Sequence, residues 1–217
     1  MATGKQALTA DHIVRVATDL IEREGLGSFT MRALGRELGV SAMAVYSHFA
    51  SRDEVLCAVL ERFMATMDTD PVPGERWDDT LRRTMTSIYR KGVEHPQLSS
   101  IEVESAAVDG LARHTEKVVN LHLAQGMPEP VLSQVWAMVD AYLTGFTDNA
   151  IAVAAEREQR EGAGGARREG AEERPLWRRI VAEAYTDEAF AHGVEIIIDG
   201  IRALAAPDPC HWRTPEA

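Results

Sequence analysis

Apolar side chains recur at helical spacing along most of the chain. Ile13, Ala17 and Leu20 are four and three positions apart and alternate with charged side chains, which predicts an amphipathic helix over residues 9–24. Similar stripes predict helices over residues 51–67, 75–93, 98–108, 111–125, 130–158 and 187–205, with a shorter piece at 176–185. The pattern predicts an all-α protein, and a chain of 217 residues can bury a sizeable core.

Two short helical segments joined by a tight corner are predicted within residues 30–52. Leu34 and Leu38 lie four positions apart before the corner, and Val45 and Phe49 repeat that spacing after it, so the two helices can share one apolar seam. This arrangement predicts a helix-turn-helix, whose second helix, over residues 42–49, would enter the major groove of DNA.

The residues at the corner suit this geometry. Gly39 can adopt the positive φ that ends one helix, and the Ser41 hydroxyl can cap the next. At Gly35, a side chain larger than that of alanine would push the crossing helices apart. Thr30 is placed to cap the first helix, and the Ser-x-x-Glu sequence at 51–54 has the form of a capping box for a third.

Breaks in the apolar pattern divide the chain. Residues 68–74, DTDPVPG, separate a first domain at 9–67 from a second domain at 75–205. Residues 156–174 are charged and lack an apolar period, so we expect a mobile loop there, with a helical extension of about the first six residues as the alternative. We expect the tail after residue 205 to be frayed, and no role is assigned to Trp212.

Charge is distributed unevenly along the chain. The net charge of −11 argues against a general nucleic-acid binder, because attraction to phosphate dominates sequence-independent affinity. Between Leu26 and Arg52, however, three arginines stand against one glutamate, a net charge of +2, so the remainder carries −13. A mildly basic surface on an acidic protein would direct DNA to that surface, although acidity also aids solubility.

The cysteines and the N-terminal sequence bear on the compartment. Cys57 and Cys210 lie far apart without a Cys-x-x-Cys motif or a Cys/His neighbour, so no disulfide framework or zinc site is predicted. The N-terminal residues lack a signal profile, and no apolar stretch approaches the roughly 18 residues of a transmembrane helix. We expect a cytoplasmic protein without membrane association.

An all-helical enzyme or a metal-binding bundle is the alternative from another functional class. The chain has seven histidines but no Glu-x-x-His pair, His-Glu-x-x-His or Gly-x-Ser-x-Gly motif. His95, His114 and His122 are scattered along the chain, as surface or satisfied core histidines are. We therefore predict no catalytic site, no cofactor and no metal. A regulator that answers to a protein partner is a further option.

Four short motifs together resemble the TetR family of transcriptional repressors. They are Phe-Thr-Met-Arg at 29–32, Leu-Gly-Val-Ser at 38–41, Val-Tyr-Ser-His-Phe at 45–49 and Arg-Asp-Glu-Val-Leu at 52–56. Ala-Met-Ala-Val-Tyr at 42–46, His-Pro at 95–96 and Tyr-Leu-Thr-Gly-Phe at 142–146 resemble the tetracycline-repressor-like branch. The resemblance implies a three-helix DNA-binding head and a larger helical ligand-binding and dimerisation body. It also implies a repressor that binds a palindromic operator as a homodimer and is released by a small-molecule effector.

The resemblance and the helix-turn-helix pattern together assign the DNA contacts. Tyr46 resembles the recognition-helix tyrosine of the family, whose ring lies against the sugar-phosphate edge; a half-buried core aromatic is the alternative. The neighbouring apolar residues can meet thymine methyl groups but form no bidentate hydrogen bonds, so specificity is expected to depend on Arg32, Ser41 and DNA shape. The predicted contacts with double-stranded DNA are Thr30, Arg32, Ser41, Ala42, Met43, Ala44, Tyr46, His48 and Arg52.

Aromatic and methionine side chains on several helices of the body indicate an effector pocket, because small-molecule sites are mostly apolar with few convergent polar groups. Core packing is an equally good explanation. The predicted lining is Trp77, Met85, Tyr89, His114, Val118, Trp136 and Asp140. The expected effector is a mostly apolar, ring-containing small molecule, with Asp140 or His114 meeting a polar group.

Two helices of the body carry more apolar surface than one chain needs. The helix predicted at 130–158 is apolar on two faces, and the last helix has a continuous seam beside which glycines permit close approach. We predict a homodimer in which these helices form a four-helix bundle across the two-fold axis. The predicted interface residues are Tyr142, Phe146, Gly193, Ile197, Gly200 and Ile201.

Overall fold

A computed structural model of the protein describes residues 8–101, 109–162, 175–205 and 211–216. The chain divides into two compact units. The first, here called the head unit, comprises residues 1–67 and 94–117, and the second, the body unit, comprises residues 68–93 and 118–217. Residues 94–117, which the sequence pattern placed in the second domain, therefore group with the head.

The described residues are helical almost throughout, which confirms the all-α prediction. The helices are α1 (Ala10–Glu24), α2 (Met31–Glu37), α3 (Ala42–Tyr46), α4 (Arg52–Met64), α5 (Trp77–Glu94), α6 (Pro96–Ser99), α7 (Asp109–Ala124), α8 (Glu129–Gly162), α9 (Pro175–Ala184) and α10 (Asp187–Leu204), with a short 3-10 turn at Leu26–Ser28. Within the described residues, isolated β pairing occurs at one bridge, between Arg76 and Arg213.

Several helix boundaries differ from the expected ones. The second helix of the helix-turn-helix is regular only over five residues, Ala42–Tyr46. Hydrogen-bonded turns continue from its end up to Phe49. Helix α6 begins at Pro96 and is only four residues long, while residues 102–108 of the predicted 98–108 helix lie outside the described residues.

Helix α8 also continues to Gly162, so the expectation of a mobile loop is wrong for residues 156–162. The alternative, a helical extension, holds there because Glu, Arg and Gln are good helix formers. Residues 163–174 of that predicted loop lie outside the described residues.

The head unit has its own apolar core. Its buried members are Ile13, Val14, Ala17, Leu20, Ile21, Phe29, Met31, Leu34, Val45, Phe49, Val55, Leu56, Val59, Phe63, Leu98 and Ile101. Polar contacts also hold α6 and the residue before it against the head unit. The Leu26 amide donates to Gln97 Oε1 at 3.1 Å, and His95 Nδ1 lies 3.2 Å from Glu22 Oε1. The His95 ring also lies edge-on to Phe63, with 5.8 Å between centroids.

The body unit is built around a cluster of aromatic rings. Tyr89 of α5 stacks on Phe190 of α10 at 4.0 Å between centroids, and Tyr142 and Phe146 of α8 pack against the same Phe190 ring at 5.5 and 5.3 Å. The Tyr142 hydroxyl donates to the Phe190 carbonyl at 2.9 Å. A Cβ at Gly193 would lie 2.0 Å from this hydroxyl, so Gly193 permits packing within one chain.

A buried carboxylate joins α5 to α10. Asp78 is 3% exposed and meets Arg76 Nε at 3.0 Å, Arg202 Nη2 at 2.6 Å and Arg82 Nη1 at 3.5 Å. Burial by itself would raise the pKa of Asp78, but contact with Arg76 and Arg202 holds this pKa below its usual value. Arg82 also pairs with Glu195 at 2.6 Å, so a group that would be costly to bury alone becomes a crosslink between the two helices.

Residues 211–216 of the C-terminal tail pack on the body unit, so the expectation of a frayed tail is wrong for them, while residues 206–210 and 217 lie outside the described residues. Trp212 is 4% exposed and packs edge-on to Trp77, with 5.8 Å between ring centroids. The Trp77 amide donates to the Trp212 carbonyl at 3.1 Å, and the Arg213 amide donates to the Gln125 carbonyl at 3.0 Å. Gly126 lies under the indole, where a Cβ would be 3.3 Å from Trp212 Cδ1. Trp212 is therefore a core residue of the body unit.

We predict that Trp212→Ala lowers the free energy of unfolding by about 3–5 kcal/mol, because it removes a buried indole that its surroundings cannot fully replace. Urea denaturation of the full chain, followed by circular dichroism, measures the change. The matched control is His211→Ala at the exposed neighbouring position, which is expected to cost little. Equal stability of the two variants would show that the tail is not part of the core.

Candidate functional sites

The helix-turn-helix has the apolar seam and the corner that the sequence predicts. Leu34 and Val45 are fully buried and Phe49 is 7% exposed, while Leu38 is half-buried. Gly39 has a φ of +67°, the left-handed conformation that glycine tolerates and that ends α2.

The two helices come close together at Gly35. A Cβ built there would lie 3.0 Å from the Ala42 amide nitrogen and 3.1 Å from the Val40 carbonyl oxygen. Both neighbours are backbone atoms and cannot rotate away. The sequence pattern allows alanine at this position, whereas in the structure its methyl group would be in tighter than ordinary contact, so the backbone would have to shift by a few tenths of an ångström.

Hydroxyl caps begin helices α2, α3 and α4 of the head. Thr30, Ser41 and Ser51 each accept a hydrogen bond from the backbone amide three residues later, at 3.0, 3.2 and 3.0 Å. The Glu54 carboxylate of the predicted capping box accepts from the Ala50 amide, one residue before its expected partner. Each cap uses an oxygen lone pair, so the hydroxyl hydrogens of Thr30 and Ser41 remain able to donate to a phosphate.

The outer face of α3 presents the predicted DNA-contacting side chains unequally. Met43 is 74% exposed and Tyr46 43% exposed, and Tyr46 is absent from the head core, which disfavours the core-aromatic alternative. His48 is also exposed, whereas Ala42 and Ala44 are half-buried. Of the three apolar residues predicted to meet thymine methyl groups, Met43 is therefore the one that the structure leaves exposed to solvent.

Of the two arginines assigned to DNA contact, Arg52 has a structural partner. Its Nε donates to the Phe29 carbonyl at 3.2 Å, and its guanidinium carbon lies 5.7 Å from the centre of the Phe29 ring. Arg32, on α2, is exposed. The acid nearest to it in sequence, Glu37, pairs with Arg23 at 3.0 Å, which reduces the negative field beside the arginines.

Three of the predicted effector residues are packed in the interior of the body unit. Trp77, Met85 and Tyr89 are 1%, 1% and 3% exposed. The Tyr89 hydroxyl donates to Asp187 Oδ1 at 2.9 Å, and burial together with this carboxylate raises the pKa of Tyr89 to about 12. Core packing, the alternative explanation, accounts for their position.

The other four predicted effector residues lie in different surroundings. Val118 and Trp136 are half-buried and belong to the body unit, while Asp140 is exposed on α8. His114 is half-buried and groups with the head unit. Burial lowers the pKa of the His114 imidazole.

Sequence reasoning missed a buried polar cluster in the body unit. Its members include Thr80, His122, Gln125 and Thr214, each at most 6% exposed. Thr80 and Thr214 gave no signal, since isolated threonines are common. His122 follows Leu121 and lies four residues after Val118, so it falls on the inward side of α7. That spacing was the one available hint.

The predicted dimer residues point largely into their own chain. Ile197 and Ile201 are 5% and 1% exposed and belong to the body core. The exposed apolar side chains of α10 are instead Ile196 and Leu204, at 62% and 53%, and a Cβ at Gly200 would meet nothing within 4 Å.

Neither a metal cluster nor a bilayer-spanning helix occurs in the part of the chain that the structure describes. No three His, Cys, Asp or Glu side chains in these ranges are grouped as metal ligands would be. No helix among the same residues is long and apolar enough to cross a bilayer.

Comparison with known proteins agrees with this architecture. Residues 13–59 match the family model of bacterial regulatory proteins of the tetR family, and residues 70–205 match the tetracyclin repressor-like C-terminal domain. The HTH-type transcriptional repressor DrrR1 of Streptomyces coeruleorubidus is 25% identical over 232 residues, covering 93% of this chain and 80% of that protein.

Two solved structures share the fold. One is the Streptomyces coelicolor TetR family protein ActR in complex with (S)-DNPA, with 22% identity, a TM-score of 0.67 and coverage of 94% of this chain and 100% of that one. The other is BioQ with its double-stranded DNA operator, with 21% identity, a TM-score of 0.61 and coverage of 91% and 99%.

The protein belongs to the TetR family of bacterial transcriptional regulators, since the two family models together account for most of its length. The predicted family and fold are thus confirmed.

We predict that Gly35→Ala destabilises the head and weakens DNA binding. Alanine favours a helix over glycine by about 1 kcal/mol, but overpacking against backbone atoms costs about 1–3 kcal/mol. The matched control is Gly27→Ala, where a Cβ would meet nothing within 4 Å. Thermal unfolding and DNA titration measure both effects. Gain of stability in Gly35→Ala would contradict the close crossing.

Proposed function

We propose that this protein is a repressor that binds a palindromic operator as a homodimer and leaves DNA when a small molecule binds the body. The observation that carries the proposal is the helix-turn-helix closed at Gly35, which presents Met43 and Tyr46 to solvent. The repressor DrrR1, the ActR complex with (S)-DNPA and the BioQ complex with its DNA operator support it. The protein acts by binding and carries out no catalysis.

In this proposal α3 enters the major groove while α2 contacts the backbone. The Tyr46 hydroxyl and the exposed His48 reach phosphate oxygens, and Arg32 supplies the main positive charge. Arg52 contributes chiefly by holding the Phe29 loop against α4, because its Nε is committed to the Phe29 carbonyl. One α3 helix reads few bases, so two heads on a two-fold axis read two half-sites.

The homodimer forms through the outer face of α10 in this proposal. Ile196, Gly200 and Leu204 recur every four residues and form a stripe, exposed at Ile196 and Leu204 and half-buried at Gly200, beside the core-facing Ile197 and Ile201. The open glycine lets a second helix approach closely, as in helix pairs that pack on small residues. A self-complementary stripe of this kind suits a two-fold interface.

The effector binds the body unit and releases DNA by favouring one of two arrangements of the dimer. A ligand shifts the population only by its differential affinity for the two arrangements. Half-buried Val118 and Trp136 are the lining residues that the structure leaves partly accessible, whereas Trp77, Met85 and Tyr89 are buried. A mostly apolar, ring-containing compound fits such a lining.

We predict that Arg32→Ala weakens binding to the upstream region of the protein's own gene and lowers the slope of log affinity against log salt by about 1, the effect of losing one phosphate contact. Fluorescence anisotropy at several salt concentrations measures both. The matched control is Arg36→Ala, an exposed arginine on the same helix, which should keep the wild-type slope. Equal slopes in all three proteins would contradict this docking.

We predict that Ile196→Asp yields a folded monomer, because the charge falls on an exposed position and so disturbs association without entering the core. Sedimentation velocity measures the oligomeric state, and circular dichroism verifies the helical content. The control is Val72→Asp, an exposed valine in the segment before α5, which should remain dimeric. A dimer in both variants would place the interface elsewhere.

A further inference from the structure

A series of hydrogen bonds runs through the body unit from Glu75 to His122. Arg83 holds the Glu75 carboxylate with two bonds, from Nε at 2.9 Å and Nη2 at 2.7 Å. The Thr80 hydroxyl lies 2.7 Å from Glu75 Oε2, and Gln125 Nε2 lies 2.7 Å from Thr80 Oγ1. Gln125 Oε1 in turn lies 3.1 Å from His122 Nδ1.

The direction of every bond in this series is set from the Glu75 end. Contact with Arg83 lowers the pKa of Glu75, so its carboxylate is ionised and can only accept. The Thr80 hydroxyl therefore donates to Glu75 and accepts from Gln125, which requires the amide nitrogen on that side. The amide oxygen then faces His122 Nδ1, which must carry the proton.

The other ring nitrogen of His122, Nε2, therefore carries no proton and can only accept a hydrogen bond. Burial lowers the pKa of this imidazole, so the ring is neutral and Nε2 keeps its lone pair. The side chain is 3% exposed, and Nε2 has no hydrogen-bond partner among the described residues. The Gln125 amide cannot rotate to donate to Nε2 of His122, because the amide nitrogen already donates to Thr80 and Thr214.

A donor without a partner borders the same cluster. Trp77 is 1% exposed, and its Nε1 lacks a hydrogen-bond partner among the described residues. Trp77 begins α5, three residues before Thr80, and its ring packs on Trp212 of the tail that brings Thr214 to Gln125. Buried polar atoms are rarely left unpaired, so one acceptor and one donor beside one cluster indicate a ligand.

We propose that His122 Nε2 selects the effector, which is a neutral ring-containing molecule with a phenolic or enolic hydroxyl that donates to this nitrogen. A hydroxyl can donate and accept, whereas an amide N–H can only donate, so a hydroxyl also suits surroundings that include the unpaired donor Trp77 Nε1. A cationic ligand is disfavoured because the neighbouring carboxylate, Glu75, is already neutralised by Arg83. This inference rests on the proposed function, since it assumes that the body binds an effector.

The test is isothermal titration calorimetry of the full chain with 2-naphthol and its methyl ether, 2-methoxynaphthalene, which cannot donate. Wild-type protein is expected to bind 2-naphthol at least about tenfold more tightly than 2-methoxynaphthalene, because the ether leaves one buried hydrogen bond unmade. His122→Phe keeps a buried ring without the acceptor, so the two affinities should become equal. The matched control is His12→Phe on α1 of the head unit, which should keep the preference.

Equal affinities in the wild type, a preference that survives in His122→Phe, or no binding of either compound would overturn the inference. DNA binding by the same preparations separates this result from the proposed function. Normal DNA binding with lost discrimination in His122→Phe supports the inference. Failure of the wild-type protein to bind its upstream DNA would instead overturn the proposed repressor function, whatever the compounds do.

Discussion

The head depends on the close crossing of α2 and α3 at Gly35, where a Cβ would lie only 3.0–3.2 Å from backbone atoms. This contact sets how α3 lies on α2, and so which side chains face outward. Because Leu34 and Val45 are buried between the helices, Met43 and Tyr46 lie on the surface. In the proposed complex, DNA recognition therefore depends on a steric constraint at a position that touches no DNA.

The body unit follows a different constraint, the pairing of buried polar groups. Asp78 is tolerable in the interior because arginines surround it, and this arrangement joins α5 to α10. Gln125 plays a similar part near the end of α7, since its amide bonds to Thr80 and to Thr214 of the tail. These groups fix helices and tail in a specific arrangement, which apolar packing alone specifies less sharply.

The same cluster connects structure to ligand choice. Because Arg83 fixes the charge of Glu75, each later hydrogen bond has one permitted direction, and His122 is left with a free lone pair. Selection of a hydroxyl-bearing effector would thus originate in an ion pair three hydrogen bonds away from His122. The exposed Asp140 and the head-unit residue His114, which the sequence suggested as polar contacts, are not required for this selection.

The sequence by itself determined the local features of this protein. Caps at Thr30, Ser41 and Ser51, the positive φ of Gly39 and the helical character of the chain depend on neighbours within a few residues, so spacing and residue type sufficed. Only the tertiary structure decided which apolar face meets which partner. Ile196 and Ile197 are equally apolar, yet one is exposed and the other buried.

Long-range contacts account for the remaining differences. Trp212 is buried because Trp77 and Gly126, distant in sequence, form its surroundings, and no periodicity near residue 212 indicates this. Trp77, Met85 and Tyr89 could not be divided between pocket and core, since both environments select the same apolar residues. Hydrophobic spacing shows that a side chain turns inward, whereas the identity of its neighbours is a property of the folded chain.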